Sequence, residues 1–404
     1  MDFSDTPEEA AFRVEARAFL DAHMPLKVPG RVHVSRAMTP EDVAASKAWQ
    51  RLKAENGFAG ILWPKQYGGR EGTMMQQIIF GQEEERYAVP TTVFNQGVGM
   101  AMPTVMRFGT PEQLARYPRP ALFGEEVWCQ LFSEPAAGSD LAGLRTRAVR
   151  DGEDWVIDGQ KIWTSYAHFA DFGMLVARSD PEAAKHAGLT FFVVDMRTPG
   201  IEIRPIKQIS GMSNFSEVFF DGVRIPDSQR LGGVGEGWKV ALTMLANERF
   251  TVGRAEGPDF DEIFALARSV GMVDDSAVRE RLAEWYVRSA GIKYTRLRSQ
   301  TALSRGKAPG PENSILKLVS ATKLQEIATF GIDLAGMAGT VTDPEIAAMH
   351  AMFQQALLYA PSKRIAGGTD EILRNIIAER VLGLPGDVRA DKGLPFNRIP
   401  TGAR

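Results

Sequence analysis

The sequence has almost no cysteine and little histidine. The single cysteine, Cys129, excludes an intramolecular disulfide and any cysteine-rich zinc or iron–sulfur site. The five histidines are scattered and form no HExxH pair, so no metal site is expected. An excess of one charge is also missing: 47 Lys and Arg against 50 Asp and Glu leave a net charge of −3. A protein built to grip phosphate backbones carries a basic excess or a basic face, so no nucleic-acid partner is expected. No apolar run reaches the roughly 18 residues that a membrane span requires. The opening MDFSDTPEEAAFRVEARAFL has neither the cationic start nor the apolar run of a signal peptide. These absences together lead to the expectation of a cytoplasmic protein.

What is present is an ordinary globular composition, with 44% hydrophobic and 24% charged residues over 404 positions. That length suits two or three domains and a core that needs no cross-links. Residues 1–125 read as helical. Pro7 stands in the first turn of a segment whose Phe12, Ala16, Phe19 and Leu20 share a face. Pro40 to Asn56 is a second helix, Met74 to Tyr87 a third, and Pro111 opens a short one. From about residue 126 the period becomes strand-like. Trp155 to Trp163, with Asp158-Gly159 at its centre, predicts a hairpin, and Asp221-Gly222 predicts a second turn. Phe172–Ala177, Leu189–Asp195, Ile201–Ile206 and Glu217–Phe220 are further β-rich runs, and short strands at this spacing suggest an antiparallel barrel or sandwich. After the glycine-rich stretch ending at Gly237 the helical period returns. Helices are expected over Trp238–Gly253, Ser276–Gly306, Glu312–Gly336, Pro344–Ala360 and Thr369–Leu382, which suggests an antiparallel bundle. The tail from Pro385 to Arg404, rich in Pro and Gly, reads as extended, with a neighbouring subunit as a candidate surface.

Three motifs carry chemistry. Gln130-Leu-Phe-Ser-Glu-Pro-Ala-Ala-Gly-Ser139-Asp140 starts as a strand and breaks into a loop of small residues. Its hydroxyls suit a flat heterocycle with an anionic appendage, although on composition alone a strand followed by a turn is the better explanation. Gln160-Lys-Ile-Trp163-Thr164-Ser165 sets an aromatic wall beside two hydroxyls; the plainer reading is a core Trp. Gly367-Gly368-Thr369 precedes a helix and presents backbone N–H groups where partial positive charge collects, or Thr369 simply caps that helix.

The order and spacing of SEPAAGSD, KIWTS and GGTDEI resemble the acyl-CoA dehydrogenase family. Tyr67-Gly-Gly, Gly109-Thr-Pro-Glu-Gln113, Phe219 to Pro226 and Gly235-Glu-Gly-Trp238 extend the resemblance over essentially the whole chain. It implies an N-terminal α-helical domain over 1–125, a central antiparallel β-barrel over 126–235 and a C-terminal four-helix bundle over 236–404. The fold class is therefore mainly α with a β middle domain. The resemblance further implies FAD, an acyl-CoA substrate, electron-transfer flavoprotein as electron acceptor and a tetramer. Carried over by residue, Gln130, Phe132 and Ser133 match positions on the flavin pyrimidine side. Trp163, Thr164 and Ser165 match those along the isoalloxazine, with Ser165 near the hydride-accepting N5. Thr369 matches a contact to the ribityl and diphosphate region. Ser139 matches a contact to CoA, and Arg249 an arginine at the CoA end of the cleft.

The commonest family base is a Glu immediately before Gly-Thr. Here that position is Gly367, which has no side chain. The sequence resembles the subgroup that carries the base on the first helix of the C-terminal bundle, where Met244-Leu-Ala-Asn-Glu248-Arg-Phe offers Glu248. Met244 and Leu245 precede it by one turn and Ala241 by two, an apolar strip that suits a desolvated general base. A surface Glu beside an Arg is the alternative. Gly367 and Gly368 then leave loop N–H groups to polarise the thioester carbonyl. Relatives often carry Arg-x-x-Phe-Gly and Gln before Gly-Gly, where this chain has Ala267-Arg-Ser-Val-Gly271 and Asp333-Leu-Ala-Gly-Met-Ala-Gly339. These losses fit a second reading, a half-site subunit in a heterotetramer with a paralogous chain. A flavin oxidase or monooxygenase on the same fold is a third.

Overall fold

The computed structural model describes residues 5–27, 38–251, 257–304, 310–386, 388, 391 and 393–400; side chains at 248–251, 303 and 304 lie outside that description. In chain order the helices before the sheet are α1 (Pro7–His23), α2 (Pro40–Glu55), α3 (Met74–Glu84), α4 (Met102–Phe108), α5 (Pro111–Arg116) and α6 (Pro118–Leu122). The strands are β1 (Trp128–Leu131), β2 (Arg147–Asp151), β3 (Asp154–Ser165), β4 (Phe172–Arg178), β5 (Leu189–Asp195), β6 (Ile201–Ile206) and β7 (Phe215–Pro226). The helices α7 (Gly237–Thr251), α8 (Phe260–Ser269), α9 (Ser276–Ser304), α10 (Asn313–Leu334), α11 (Met352–Ile365) and α12 (Asp370–Ile376) follow. The chain forms two compact units. One comprises residues 1–36, 73–89 and 252–386, the other 37–72, 90–251 and 387–404.

In the first unit, α1 starts where the sequence places it. Thr6 accepts from the Glu9 N–H, Glu9 returns the bond to the Thr6 N–H, and Pro7 fills the first turn. Phe12, Ala16, Phe19 and Leu20 form its buried face. The buried carboxylate of Glu83 on α3 is held by Arg13, Arg17 and Arg86 at 3.1, 3.1 and 2.7 Å. Burial works against that charge, but the three guanidinium groups outweigh it and bring the Glu83 pKa from 4.5 to about 2. Because the folded value lies below the unfolded one, this stabilisation is complete above pH 4.5 and is lost as the pH falls toward about 2. Glu83→Gln is therefore expected to cost about 2–3 kcal/mol at neutral pH, a deficit that fades in acid. Urea denaturation of both proteins across this pH range checks it.

The rest of that unit is a helical bundle. Its core includes Ile263, Leu266, Val278, Leu282, Trp285 and Ile327. Asp259 caps α8 through its capping box with Glu262, and its carboxylate also accepts from Lys323 on α10 at 2.7 Å and from Ser289 on α9. The α8 helix is not among the elements expected from sequence, although Asp259, Glu262 and the spacing of Ile263, Leu266 and Ala267 mark it. The helix expected from Pro344 begins only at Met352. Met349, His350 and Ala351 have φ of 53°, 53° and 57°, a left-handed run that interrupts any helix started by Asp343 and Pro344.

In the second unit the strands form one open, mixed sheet of seven strands rather than a closed antiparallel barrel. Its order is β1-β4-β2-β3-β7-β6, with β5 on the other side of β4. Strands β1 and β4 run parallel, Trp128 opposite Phe172. The β2–β3 pair lies between them in sequence and returns the chain in the original direction. Among the described residues β1, β5 and β6 each pair with a single strand, and β5 and β6 do not pair with each other. Strands β4 and β5 read as continuous apolar runs because both faces are buried. Met174, Val176, Phe191 and Val193 meet Met102, Val105, Leu122 and Val240 of the surrounding helices. The alternate Leu175, Ala177, Phe192 and Val194 meet Trp155, Ile157, Val218 and Val223 across the curled interior.

The expected hairpin at Asp158-Gly159 is also corrected. Residues 154–165 are one continuous strand of twelve residues. Gly159, at φ +149°, lies against Thr146, where a Cβ would come within 2.7 Å of the Thr146 Cα, and beside it a bulge shifts the β3–β7 register between Ile157 and Gly159. Asp221-Gly222 faces it within β7, and the Gly222 N–H donates to Asp158 at 2.9 Å. The two Asp-Gly pairs thus bend one two-stranded ribbon, and the tight turn lies instead at Gly152.

Candidate active site

The flavin-side residues all belong to the second unit and converge at the ends of β1 and β3. Gln130 is half-buried in β1, and Phe132 is buried with its ring edge-on to Phe191 at 5.7 Å. The Ser133 carbonyl accepts from the Ile162 N–H at 2.9 Å, so the two motifs are joined through the backbone. Beneath this junction lies an ion pair that sequence reading passed over. Lys161 is wholly buried, at 0% exposure, and donates to Glu134 at 2.8 Å and to the Phe132 carbonyl at 2.9 Å. Glu134 also accepts from the N–H groups of Arg145 and Thr146 at 2.6 and 2.9 Å. Burial lowers the Lys161 pKa to about 8 although Glu134 opposes the shift. Both residues stand inside the quoted motifs. A charged residue among apolar neighbours in each was the available signal.

The ion pair precedes a second bulge in β3, between Lys161 and Thr164. Trp163 sits in it at φ +60°, the residue 56% exposed and its ring edge-on to Phe215 at 6.1 Å. The plainer reading of a core Trp is therefore incorrect: this indole is held outward in a backbone conformation that costs a β-strand residue about 1–3 kcal/mol. Thr164 is buried, and its hydroxyl has no hydrogen-bond partner among the described residues. Ser165 is half-buried and lies opposite Phe215. An exposed aromatic plane beside an unsatisfied hydroxyl fits a planar, hydrogen-bonding cofactor. Ser139 is exposed in the loop after Ser133.

Helix α7 starts against β5 because Gly237 has no Cβ; one would meet the Leu189 and Thr190 backbone at 2.7 Å. The Gly235 N–H donates to the Thr190 hydroxyl at 3.1 Å. Val240, Ala241 and Met244 are fully buried, so the helix is anchored by the face that sequence spacing picks out. Position 248 follows Met244 by one turn on α7, whereas the Glu248 and Arg249 side chains lie outside the described residues.

Gly367, Gly368 and Thr369 belong to the first unit. Gly367 and Gly368 have φ of +66° and +100°, conformations that favour glycine. Thr369 caps α12, its hydroxyl accepting from the Ile372 N–H at 3.3 Å. Lys317 donates to the Gly368 carbonyl at 2.5 Å, and the buried Asp370 accepts from Arg364 at 2.7 Å. One Asp370 oxygen has no hydrogen-bond partner among the described residues. Buried Cys129 has its thiol pKa pushed up by burial. Among the described residues no His, Cys, Asp and Glu cluster could hold a metal ion, and no helix is long and apolar enough to cross a membrane.

The acyl-CoA dehydrogenase N-terminal, middle and C-terminal domains match residues 6–125, 129–223 and 235–382. The chain is 41% identical to acyl-CoA dehydrogenase FadE34 of Mycobacterium tuberculosis over 88% of its own length, and spans 48% of that protein. It is 36% identical to acyl-CoA dehydrogenase IpdE1 of Mycobacterium tuberculosis, covering 89% of this chain and 92% of that protein. Among solved structures, a Tcur3481-Tcur3483 steroid ACAD superposes with a TM-score of 0.80 at 28% identity, covering 96% of this chain and all of the other. The ChsE4-ChsE5 complex from Mycobacterium tuberculosis superposes with a TM-score of 0.77 at 27% identity, with 96% of this chain covered and 100% of the other. The chain belongs to the acyl-CoA dehydrogenase family, flavoprotein oxidoreductases that normally hold FAD.

Proposed function

We propose that this protein dehydrogenates an acyl-CoA thioester to the trans-2-enoyl-CoA, with Glu248 removing the α-proton. The ledge at the end of β3, an exposed Trp163 in a left-handed backbone beside the unpartnered Thr164 hydroxyl, carries the reading. Gln130, Phe132, Ser133, Trp163, Thr164 and Ser165 would hold the flavin, and Thr369 the remainder of the cofactor. FAD, when bound, supplies the acceptor for the β-hydride. Ser139, Arg249, Gly367 and Gly368 would contact the substrate, and N–H groups of the 367–368 loop suit a carbonyl oxygen that gains charge as the α-proton leaves. Glu248 takes that proton because a general base must reach the α-carbon and Gly367 cannot. The family domains divide the chain near 125 and 235, in keeping with the three-part reading. Electron-transfer flavoprotein is the proposed acceptor and the cytoplasm the proposed location.

The names of the structural relatives favour two extensions. One is described as a steroid ACAD, which supports a bulky, ring-containing acyl group here. Two carry paired chain names, which supports a heterotetramer with a paralogous subunit over a homotetramer. The departures at Ala267–Gly271 and Asp333–Gly339 agree with this, because they leave cofactor contacts for another chain to supply. The test is the absorbance spectrum of the purified protein, followed anaerobically through a panel of CoA esters. A flavin band that bleaches with bulky esters is expected from the chain co-expressed with its paralogue; one flavin per chain in the protein alone would reject the heterotetramer. A colourless protein that stays colourless with added FAD would reject the homomeric form and call for co-expression with a paralogue. A bound flavin that no ester bleaches would overturn the activity.

A further inference from the structure

Residues 393–399 belong to the β-containing unit and dock on its 181–184 segment. Pro395 forms an antiparallel bridge with Ala184. The Phe396 N–H donates to the Ala183 carbonyl at 2.9 Å and the Asn397 N–H to the Pro181 carbonyl at 3.0 Å. We propose that residues 393–399, together with Asp391, form a strap that holds the loop from Glu134 to Leu144 in the shape that binds the CoA thioester, with Lys185 and Arg178 as positioning residues. The proposal rests on reading Ser139 as a CoA contact.

Two side-chain relays join strap and loop. Lys185 donates to Asp391 in the strap at 2.9 Å and to Asp140, next to Ser139, at 2.6 Å. Burial disfavours its charge, yet the two carboxylates outweigh this and raise its pKa. Removing either carboxylate leaves a mostly buried ammonium with one partner, so the strap and the loop are coupled through a single cation. The second relay is Arg178, which is 4% exposed. It donates to the Ala142 carbonyl at 2.6 Å and to the Lys185 carbonyl at 2.7 Å, pinning the turn at Leu141–Gly143. Among the described residues its hydrogen bonds go to carbonyl oxygens, not to a carboxylate, and its Nε has no hydrogen-bond partner. What covers it is the Phe396 ring, whose centroid lies 3.7 Å from the guanidinium carbon. A desolvated guanidinium on an aromatic face is a favourable stack, and it shields the Arg178 bonds to the loop from water. The occupant is part of the same chain, so it docks at high effective concentration and needs only modest contact energy.

The test uses full-length Phe396→Ala and Asp391→Asn, with Phe396→Trp as the conservative control. Hydrogen exchange is followed in peptides spanning 135–144, and calorimetry measures the affinity for free coenzyme A. Both disrupting variants are expected to speed loop exchange by about tenfold. They should also weaken coenzyme A binding by about fivefold. The flavin absorbance should not move, and Phe396→Trp should restore both quantities. Unchanged loop exchange overturns the strap. Faster exchange with unchanged coenzyme A affinity overturns its role in binding. If the unsubstituted protein does not bind coenzyme A, the assignment of Ser139 and the proposed function fail, whatever the exchange shows.

Discussion

Glu248→Gln is expected to leave flavin and thioester binding in place and to lower turnover by roughly three orders of magnitude. The amide keeps the size and hydrogen-bonding reach of the carboxylate but cannot accept the α-proton. Helix α7 is anchored upstream of the position: Gly237 lets it start in contact with β5, and Val240, Ala241 and Met244 bury one face. A substitution one turn beyond Met244 therefore leaves that anchorage intact. The measurement is the rate of flavin bleaching on rapid mixing with a thioester that the unsubstituted protein oxidises, together with its binding isotherm. An equal loss of binding and rate would make Glu248 a binding residue. An unchanged rate would remove it from the chemistry.

Lys161→Met is expected to have the largest effect on stability. It leaves the Glu134 carboxylate buried beneath the loop with only two backbone N–H donors, at a cost of about 3–5 kcal/mol. Flavin retention should fall with it, since the same ammonium ties the Phe132 carbonyl to the strand that carries Trp163. Adding Glu134→Gln removes the stranded charge and keeps an acceptor, so the double variant should recover roughly half of the loss. Urea denaturation of the three proteins and their flavin content measure this. A pH dependence follows from the Lys161 pKa, which drops from 10.5 unfolded to about 8 folded. Between those values the unfolded chain binds more protons, so this group makes stability rise with pH there. The margin of the unsubstituted protein over Lys161→Met should widen from pH 8 to 10.5. A margin that narrows would contradict the burial of the charged amine.

Much of the helical architecture was legible because its signals are local. Thr6 with Glu9, Thr39 with Asp42 and Thr110 with Gln113 each form the reciprocal cap that a short window of sequence announces. Strands β5 and β6 coincide with the expected runs for a similar reason, since their side-chain pattern is written within six or seven residues. The helix α8 was equally local and was overlooked. The late start of α11 was not foreseeable, because three left-handed residues in succession follow from no residue preference at Met349, His350 and Ala351.

The sequence by itself determined the order of helices and strands, the three cofactor-like motifs and the loss of a side chain at Gly367. These depend on residue identity and short spacing, which the chain carries before it folds. Tertiary structure alone decided that Asp158-Gly159 bends a ribbon and does not close a hairpin, because the choice lies in the approach of Thr146 and in the facing Asp221-Gly222. It decided that the sheet stays open, since closure depends on which edges meet and not on any strand's own pattern. It decided that Pro395 to Asn397 dock on their own chain. It also decided that Glu134 and Lys161, 27 residues apart, share one buried site. Desolvation forces such charges to pair, but only the fold brings the partners within reach.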